Sequence, residues 1–172
     1  MTVIDTLDFK QISTYDLVEI KQVYNILKDC GKDMHINQNL VHWLTPYPIE
    51  SISKDCNDKF VFLVKKDFEA IATFTLSKDE EGVLLSKFAV SPKMAHQGIG
   101  KLCLKYIEDW CRKQAFDAPK KIHLDVYDKS LFAVRFYKKN GFQIIGFDRY
   151  AYSNRGPEEH NMRIEMGKKL QD

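Results

Sequence analysis

Residues 83–106 read VLLSKFAVSPKMAHQGIGKLCLKY, and this stretch decides how the chain folds. It begins with a short apolar run that Pro92 stops, which is the pattern of a buried strand. From Leu102 onward, apolar residues recur three and four positions apart, which is the period of a helix that packs one face. We therefore expect a strand that ends near Ser91, a helix that begins near Gly98 and a short loop between them.

Two glycines, Gly98 and Gly100, stand where this helix begins. The first N–H groups of a helix lack partners within the helix and lie at the positive end of its dipole, so a pyrophosphate there gains several hydrogen bonds. Glycine suits such a site because a side chain would hold the phosphate away from the backbone. An ordinary strand-to-helix turn also uses glycine, and a lone Gly-x-Gly is weak evidence of a phosphate site.

The spacing of the glycines disfavours two other phosphate-binding motifs. A P-loop needs Gly-x-x-x-x-Gly-Lys-Ser/Thr, but Leu102 follows Gly100-Lys101, and Ala95 stands where the first glycine belongs. The dinucleotide fingerprint needs a glycine three positions after Gly100, where this chain has Cys103. The sequence therefore argues against magnesium-nucleotide and NAD sites.

The strand, loop and helix resemble motif A of the GNAT family of N-acetyltransferases. In that motif a strand ending in Val-x-Pro precedes Arg/Gln-x-x-Gly-x-Gly/Ala, and here Ala89-Val90-Ser91-Pro92 precedes Gln97-Gly98-Ile99-Gly100. Ala95 departs from the motif, because the family usually has Arg or Gln at its first position. A side-chain contact to the phosphates would be missing there, while the backbone contacts need not be.

A second block resembles a later motif of the same family, Asn-x-x-Ala-x-x-Phe-Tyr-x-x-x-Gly-Phe. It covers residues 128–142, DKSLFAVRFYKKNGF, and the residues in register are Ala133, Phe136, Tyr137, Gly141 and Phe142. Ser130 occupies the usual Asn position, where it can still cap a helix and hydrogen-bond, with a shorter reach. Two motifs in the family's order argue against a chance resemblance.

The resemblance implies an α/β (α+β) fold with a mixed, mostly antiparallel sheet of six or seven strands and about four helices. The sheet would split between its two central parallel strands, the motif strand and residues 122–127, and the pantetheine arm of acetyl-CoA would lie in that gap. With 172 residues and 44% hydrophobic content, the chain can bury one core. We expect a single domain over residues 1–172.

The remaining elements follow from apolar patterns and turn residues. The predicted strands outside the motif stretch are residues 7–12, 60–64, 70–76, 122–127, 142–147 and 162–166. The predicted helices are one capped by Ser13 or Thr14 and closed by Gly31, a short one over residues 49–56, and one over residues 130–139. We expect a polar loop over residues 153–160 and a frayed tail from Gly167.

On this resemblance, acetyl-CoA would be the acetyl donor, and three groups of residues would hold it. They are Phe88, Ala89 and Val90 of the motif strand, Gln97, Gly98, Ile99, Gly100 and Lys101 of the loop and helix start, and Ser130, Ala133 and Tyr137 of the later motif. A main-chain N–H of the strand would polarise the thioester carbonyl. No residues are assigned to a metal.

Tyr137 matches the tyrosine that the family uses to protonate the leaving thiol. A phenol with a pKa of about 10 stays protonated at neutral pH and can donate to a thiolate whose acid has a pKa of about 8.5. The alternative is that Tyr137 only packs. For the general base, Asp125 is our first candidate, followed by Glu69 or His35, and a water chain is a further route.

The segment over residues 34–49 is rich in aromatic residues and proline, which is typical of a lid over a pocket or of a packed loop. In the family this region shapes the acceptor site, so Trp43 and Tyr47 are candidate substrate-binding walls, with core packing as the alternative. We expect an acetyl-CoA-dependent N-acetyltransferase acting on a primary amine of a small molecule. The alternatives are a protein or peptide acceptor and a non-catalytic acyl-CoA-binding regulatory module.

Composition restricts the partners. A net charge of +2 gives no basic field for nucleic acid, and no apolar run approaches the roughly 20 residues of a membrane-spanning helix. The cysteines lack metal or disulfide spacing, so we expect free thiols without a catalytic role and a cytoplasmic protein; they are Cys30, Cys56, Cys103 and Cys111. An exposed edge strand near the C-terminus would be compatible with a homodimer.

Overall fold

The computed structural model describes residues 6–114, 121–148 and 162–171. The described elements in chain order are β1 (Asp8–Ile12), α1 (Leu17–Gln38), α2 (Ile49–Asp58), β2 (Phe60–Lys66), β3 (Glu69–Asp79), β4 (Gly82–Val90), a 3-10 turn (Pro92–Met94), α3 (Ile99–Lys113), β5 (Lys121–Tyr127), α4 (Leu131–Lys139), β6 (Gln143–Asp148) and β7 (Arg163–Lys169). The motif strand therefore ends, and its helix begins, within one residue of the predicted positions.

The strands form one sheet in the order β1-β2-β3-β4-β5-β7-β6. The central pair, β4 and β5, is parallel, with the residue pairs Val83–Ile122 and Leu84–His123. The β1–β2, β2–β3, β5–β7 and β6–β7 pairs are antiparallel. This mixed, mostly antiparallel sheet with a parallel central pair confirms the predicted fold class, and β1 lies at one edge of the sheet.

The last strand runs further than predicted. β7 continues to Lys169, so the expectation that the tail frays from Gly167 was wrong for these residues. Lys168 explains the difference, because its ammonium pairs with the Glu108 carboxylate on α3 and donates to the Asn140 carbonyl, 2.9 Å away, after α4. The predicted polar loop over residues 153–160 lies outside the described residues.

The described chain falls into two compact units. The first unit comprises the described residues up to Ser77 together with Lys87–Cys103, and the second comprises Lys78–Ser86 together with the described residues from Leu104 onward. The expectation of a single domain over residues 1–172 stays a prediction.

In the second unit, apolar residues alternate along β5, where Ile122, Leu124 and Val126 are buried. This alternation is the pattern of a strand that buries one face. α4 begins after Ser130 and ends before Asn140, and Gly141 follows with φ +91°, so the predicted helix stop is confirmed.

In the first unit, α1 packs its apolar face into a buried cluster with residues of the sheet. The cluster consists of Ile12, Ile20, Val23, Ile26, Leu27, Cys30, Ile52, Val61, Leu63 and Ala89. Leu17, the first residue of the helix, is exposed.

The sequence predicted that Gly31 closes α1. This prediction was wrong, because the helix continues to Gln38. A Cβ added at Gly31 would lie 2.1 Å from the Trp43 carbonyl oxygen and 2.8 Å from the Trp43 carbonyl carbon. The glycine therefore allows the backbone of the following loop to approach the helix, a use that the helix-stop rule does not consider.

We predict that Gly31→Ala lowers the free energy of unfolding by about 1–3 kcal/mol, because the new methyl group collides with a backbone carbonyl that has little room to move. Urea denaturation measures the change. Lys32→Ala, at the exposed next position, is the control and should change stability by less than about 0.5 kcal/mol. A gain of about 1 kcal/mol, the usual effect of replacing glycine inside a helix, would contradict the prediction.

Candidate active site

The loop between β4 and α3 is held by short backbone hydrogen bonds. Ser91 N donates to the Ile71 carbonyl (2.7 Å), Met94 N donates to the Ser91 carbonyl (2.8 Å), and Ala95 N donates to the Pro92 carbonyl (3.2 Å). The N–H of Ala95, the position that departs from the motif, therefore closes the 3-10 turn. The loop is exposed beyond this point, at His96 and Gln97.

Gly98 lies at the start of α3 with φ +77°, in the left-handed region that favours glycine. Apart from its two chain neighbours, no described residue has an atom within 4 Å of the position that its Cβ would occupy, and its carbonyl accepts a hydrogen bond from Leu102 N (3.2 Å). The first N–H groups of the helix, at Ile99, Gly100 and Lys101, have no acceptor within the helix. The side of Gly98 is thus open beside a helix N-terminus, as a bound anion requires.

The end of β4 is fixed by side-chain contacts within the first unit. The Phe88 ring meets the Phe74 ring edge to face at 6.2 Å, and Ala89 is buried in the apolar cluster. The Cys30 thiol donates to the Val90 carbonyl at 3.0 Å. Because burial raises the pKa of Cys30 to about 12, with Asp33 and Asp29 adding to the effect, this thiol remains a protonated donor.

Trp43 and Tyr47, the predicted acceptor walls, are half-buried and pack against the apolar cluster. Their rings contact each other at 6.2 Å in an edge-to-face arrangement. The Lys87 ammonium lies 4.6 Å from the centre of the Tyr47 ring. The loop is therefore anchored, and the role of these two residues in acceptor binding stays a prediction.

Tyr137 lies in the second unit, buried on α4 between the rings of Phe136 (5.2 Å) and Phe142 (5.4 Å). Burial raises the pKa of Tyr137 well above the ordinary tyrosine value, so its phenol is protonated across the physiological range. Ala133 is half-buried on the same helix.

Ser130 precedes α4 and is 4% exposed. Its main chain is engaged, since its N–H donates to the Tyr127 carbonyl (3.0 Å) and its carbonyl accepts from Val134 N (3.0 Å). The hydroxyl makes no capping bond and has no partner among the described residues. The sequence predicted that this hydroxyl could cap the helix, and in the structure it does not.

Asp125, also in the second unit, is 35% exposed and lies 3.5 Å from Arg163 Nη1. The other amino group of Arg163 contacts Asp148 (3.2 Å) and Glu165 (3.3 Å), so three carboxylates surround one guanidinium. Partial burial raises the pKa of Asp125, Arg163 and His123 oppose the rise, and Glu165 and Asp148 add to it. A carboxylate with a raised pKa is a stronger base than an ordinary aspartate.

The other two candidates for the base lie in the first unit. Glu69 is exposed at the start of β3, with Lys93 4.0 Å away, and His35 is exposed in the last turn of α1. Asp125 remains the first candidate because its environment raises its pKa.

The cysteines have the properties of buried thiols. Burial is the first cause of a raised pKa at each of them, to about 12 at Cys103 and Cys111 and to about 11 at Cys56. A thiol with such a pKa is a poor nucleophile at neutral pH. The described residues contain no group of three or more His, Cys, Asp or Glu side chains placed to hold a metal ion. In the same part of the chain, no helix is long and apolar enough to cross a membrane.

Sequence reasoning missed Lys87 and Asp55. The two side chains form an ion pair between β4 and α2, immediately before the predicted acetyl-binding residues. The visible signal was a lysine inside a mostly apolar strand, since such a charge is rarely buried without a partner.

Comparisons with known proteins agree with this description. A sequence profile described as the acetyltransferase (GNAT) family matches residues 20–142. No curated protein matches the chain. The ribosomal-protein-S18-alanine N-acetyltransferase from Escherichia coli is similar in structure, with 17% sequence identity, a TM-score of 0.72, and coverage of 97% of this chain and 96% of that chain.

Two further solved structures are similar over nearly the whole chain. Ard1 from Thermoplasma volcanium shares 19% identity with a TM-score of 0.73, covering 96% of this chain and 99% of its own. A GNAT family acetyltransferase from Elizabethkingia anophelis with acetyl-CoA bound shares 18% identity with a TM-score of 0.69, covering 96% and 99%. At these identities the likeness establishes the fold.

We predict that Ser130→Ala leaves the free energy of unfolding within about 0.5 kcal/mol of the wild type, because the hydroxyl makes no capping bond to lose. If the hydroxyl is reserved for the predicted ligand, the dissociation constant for acetyl-CoA rises about 2–10-fold, the value of one hydrogen bond. Calorimetry and urea denaturation separate the two effects, with Ser53→Ala on α2 as the control. A loss of about 1 kcal/mol in stability with unchanged affinity would identify a helix cap instead.

Proposed function

Because the chain belongs to the acetyltransferase (GNAT) family, we propose that it transfers the acetyl group of acetyl-CoA directly to the primary amine of a small molecule. It is an N-acetyltransferase with acetyl-CoA as the donor, and the proposal concerns the acceptor and the residues that act. The observation that carries it is the start of α3, where the open side of Gly98 leaves room for an anion beside the first N–H groups of the helix.

The main chain holds the donor in this proposal. The N–H groups of Ile99, Gly100 and Lys101 bind the pyrophosphate, with Gln97 and Gly98 beside them. Phe88, Ala89 and Val90 align the acetyl end, and a main-chain N–H of this segment stabilises the negative charge that develops on the carbonyl oxygen. The anchoring of β4 by Cys30 supports this role, because an oxyanion contact has to be fixed before the reaction.

Two side chains move protons in this proposal. Acetyl-CoA supplies a thioester, whose carbonyl carbon gains a bond to the amine nitrogen as its bond to sulfur breaks. Asp125 accepts the proton that the amine loses, and its raised pKa supports that role. Tyr137 gives its proton to the departing sulfur, and the rings of Phe136 and Phe142 that hold its phenol in place support that role.

The anchored loop of the first unit supports a small acceptor. Trp43 and Tyr47 contact each other and pack on the apolar cluster, so they form a fixed wall. A peptide N-terminus is the second candidate, because a structure of similar fold is named for an alanine of a ribosomal protein.

A free-thiol release assay with the full chain, acetyl-CoA and a panel of amines and peptides tests the proposal. We expect turnover on small primary amines, with a mass increase of one acetyl group on the acceptor. Turnover confined to peptides would favour the second candidate. Absence of thiol release above spontaneous hydrolysis with every acceptor would refute the proposed function.

We predict that Tyr137→Phe lowers kcat by about 10²-fold or more, which is the typical contribution of a positioned general acid. The KM for acetyl-CoA should change little, because the ring still packs between Phe136 and Phe142. Tyr106→Phe, which removes another half-buried phenol of the second unit, is the control and should keep wild-type kcat. An unchanged kcat in Tyr137→Phe would show that Tyr137 only packs.

We predict that the acidic limb of the kcat/KM profile depends on Asp125. A base acts when deprotonated, so its raised pKa places the loss of activity at a pH above the ordinary aspartate value of about 3.9. Arg163→Met removes the cation that opposes the rise and should move this limb to still higher pH. Asp125→Asn should lower kcat/KM by about 10²-fold and abolish that limb. A limb that stays in place in both variants would exclude Asp125 as the base.

A further inference from the structure

Lys87 is a charged residue within the apolar strand β4, and its backbone has φ +48°. A lysine in this left-handed region carries a conformational cost that a glycine would avoid, and such strain concentrates at functional sites. Its side chain is only 15% exposed. A strained, largely buried lysine therefore requires an explanation beyond folding.

The surroundings of Lys87 leave an excess of positive charge. Its ammonium pairs with Oδ2 of Asp55, a buried residue on α2. Oδ1 of Asp55 lies 3.4 Å from the ammonium of Lys59, so both oxygens of this carboxylate face a lysine. Two ammonium groups share one carboxylate, and the cluster of Lys87, Asp55 and Lys59 carries one net positive charge.

The ammonium of Lys87 also has unused hydrogen-bonding capacity. An ammonium offers three N–H donors. Within the described part of the chain, Asp55 accepts a hydrogen bond from one of these donors. A second side of the ammonium faces the Tyr47 ring, whose centre lies 4.6 Å from Nζ. A donor therefore remains for a ligand, on a side chain that a buried carboxylate and an aromatic ring hold in place.

Lys87 immediately precedes Phe88, Ala89 and Val90, the segment to which the proposed function assigns the acetyl group. Successive residues of a strand are about 3.3 Å apart, so the cluster begins within one residue of that segment. Tyr47, which the ammonium contacts, is a predicted acceptor wall. Both neighbours of Lys87 thus belong to the regions that the proposed function assigns to the reaction.

We propose that Lys87 binds an acid group of the acceptor, so that the substrates are small primary amines carrying a carboxylate or phosphate near the amine, as amino acids do. This inference rests on the proposed function. The excess positive charge disfavours polyamines, which carry no group to neutralise it. A peptide N-terminus is disfavoured as well, because its neighbouring carboxyl is an uncharged amide. Once an acceptor is bound, a nearby cation also favours its neutral, nucleophilic amine.

Matched pairs of acceptors test the inference on the full chain with acetyl-CoA. The pairs are tyrosine with tyramine, alanine with ethylamine, and phosphoethanolamine with ethanolamine, and spermidine and a short peptide complete the panel. We expect kcat/KM to be at least 10-fold higher for the acid-bearing member of one pair. The pair that shows the preference distinguishes a carboxylate from a phosphate. Equal rates within every pair, or a preference for spermidine or for the members that lack the acid group, would overturn the inference.

Substitution of Lys87 separates recognition from folding. Lys87→Met removes the charge and should reduce the preference within the pair to about one, through a higher KM for the acid-bearing acceptor alone. Lys87→Arg keeps the charge and should keep the preference. Lys54→Met removes an exposed positive charge from the same helix as Asp55 and is the control. A preference that survives in Lys87→Met would assign recognition to another residue.

Two further measurements keep the result decisive. If Lys87→Met fails to fold, the double variant Lys87→Met/Asp55→Asn replaces it in the assay. The double variant removes both charges of the pair, so no buried carboxylate is left without its Lys87 partner. Calorimetry with acetyl-CoA checks that the donor still binds in each variant. Thiol release only with amines that lack an acid group would refute the inference and leave the proposed function standing. If no acceptor gives thiol release, both the inference and the proposed function are refuted.

Discussion

The hydrogen bonding of β4 is the constraint on which the rest of this structure depends. Its parallel ladder with β5 consists of two residue pairs and ends at Leu84–His123, whereas β5 pairs with β7 over seven residues. Buried backbone N–H and C=O groups need partners, so a strand whose ladder stops early has to satisfy its later groups in another way. In the proposed function, the amide groups of the pantetheine arm of acetyl-CoA would meet that need.

Two consecutive residues of α1 keep the end of that strand and the neighbouring loop in place. Cys30 donates its thiol proton to the Val90 carbonyl, and Gly31 leaves room for the Trp43 carbonyl. Cysteine suits the first position because it is small, packs as an apolar residue and still offers a weak donor. The helix thus fixes both the donor strand and the loop that carries the candidate acceptor walls.

The sequence predicted most of this fold because the signals were local. The apolar run, Pro92 and the two glycines lie within a few residues of the boundaries they determine, and the structure confirms those boundaries. The errors arose where a distant contact decided the outcome. Gly31 is a site of close approach to Trp43, twelve residues later, and Lys168 extends β7 by binding Glu108 on α3. Rules that use only neighbouring residues in the sequence cannot predict such contacts.

The same distinction separates the donor site from the acceptor site. In the proposed function the donor is held mainly by main-chain groups, and a glycine or proline at a fixed spacing indicates where a backbone can bind, so a motif is enough to predict such a site. The proposed acceptor site, in contrast, consists of side chains that meet only after folding. Lys87 and Asp55 are 32 positions apart, and the sequence around Lys87 shows that a buried charge needs a partner without showing which residue provides it. The chemistry of the acceptor therefore has to be read from the charges that the fold brings together around β4.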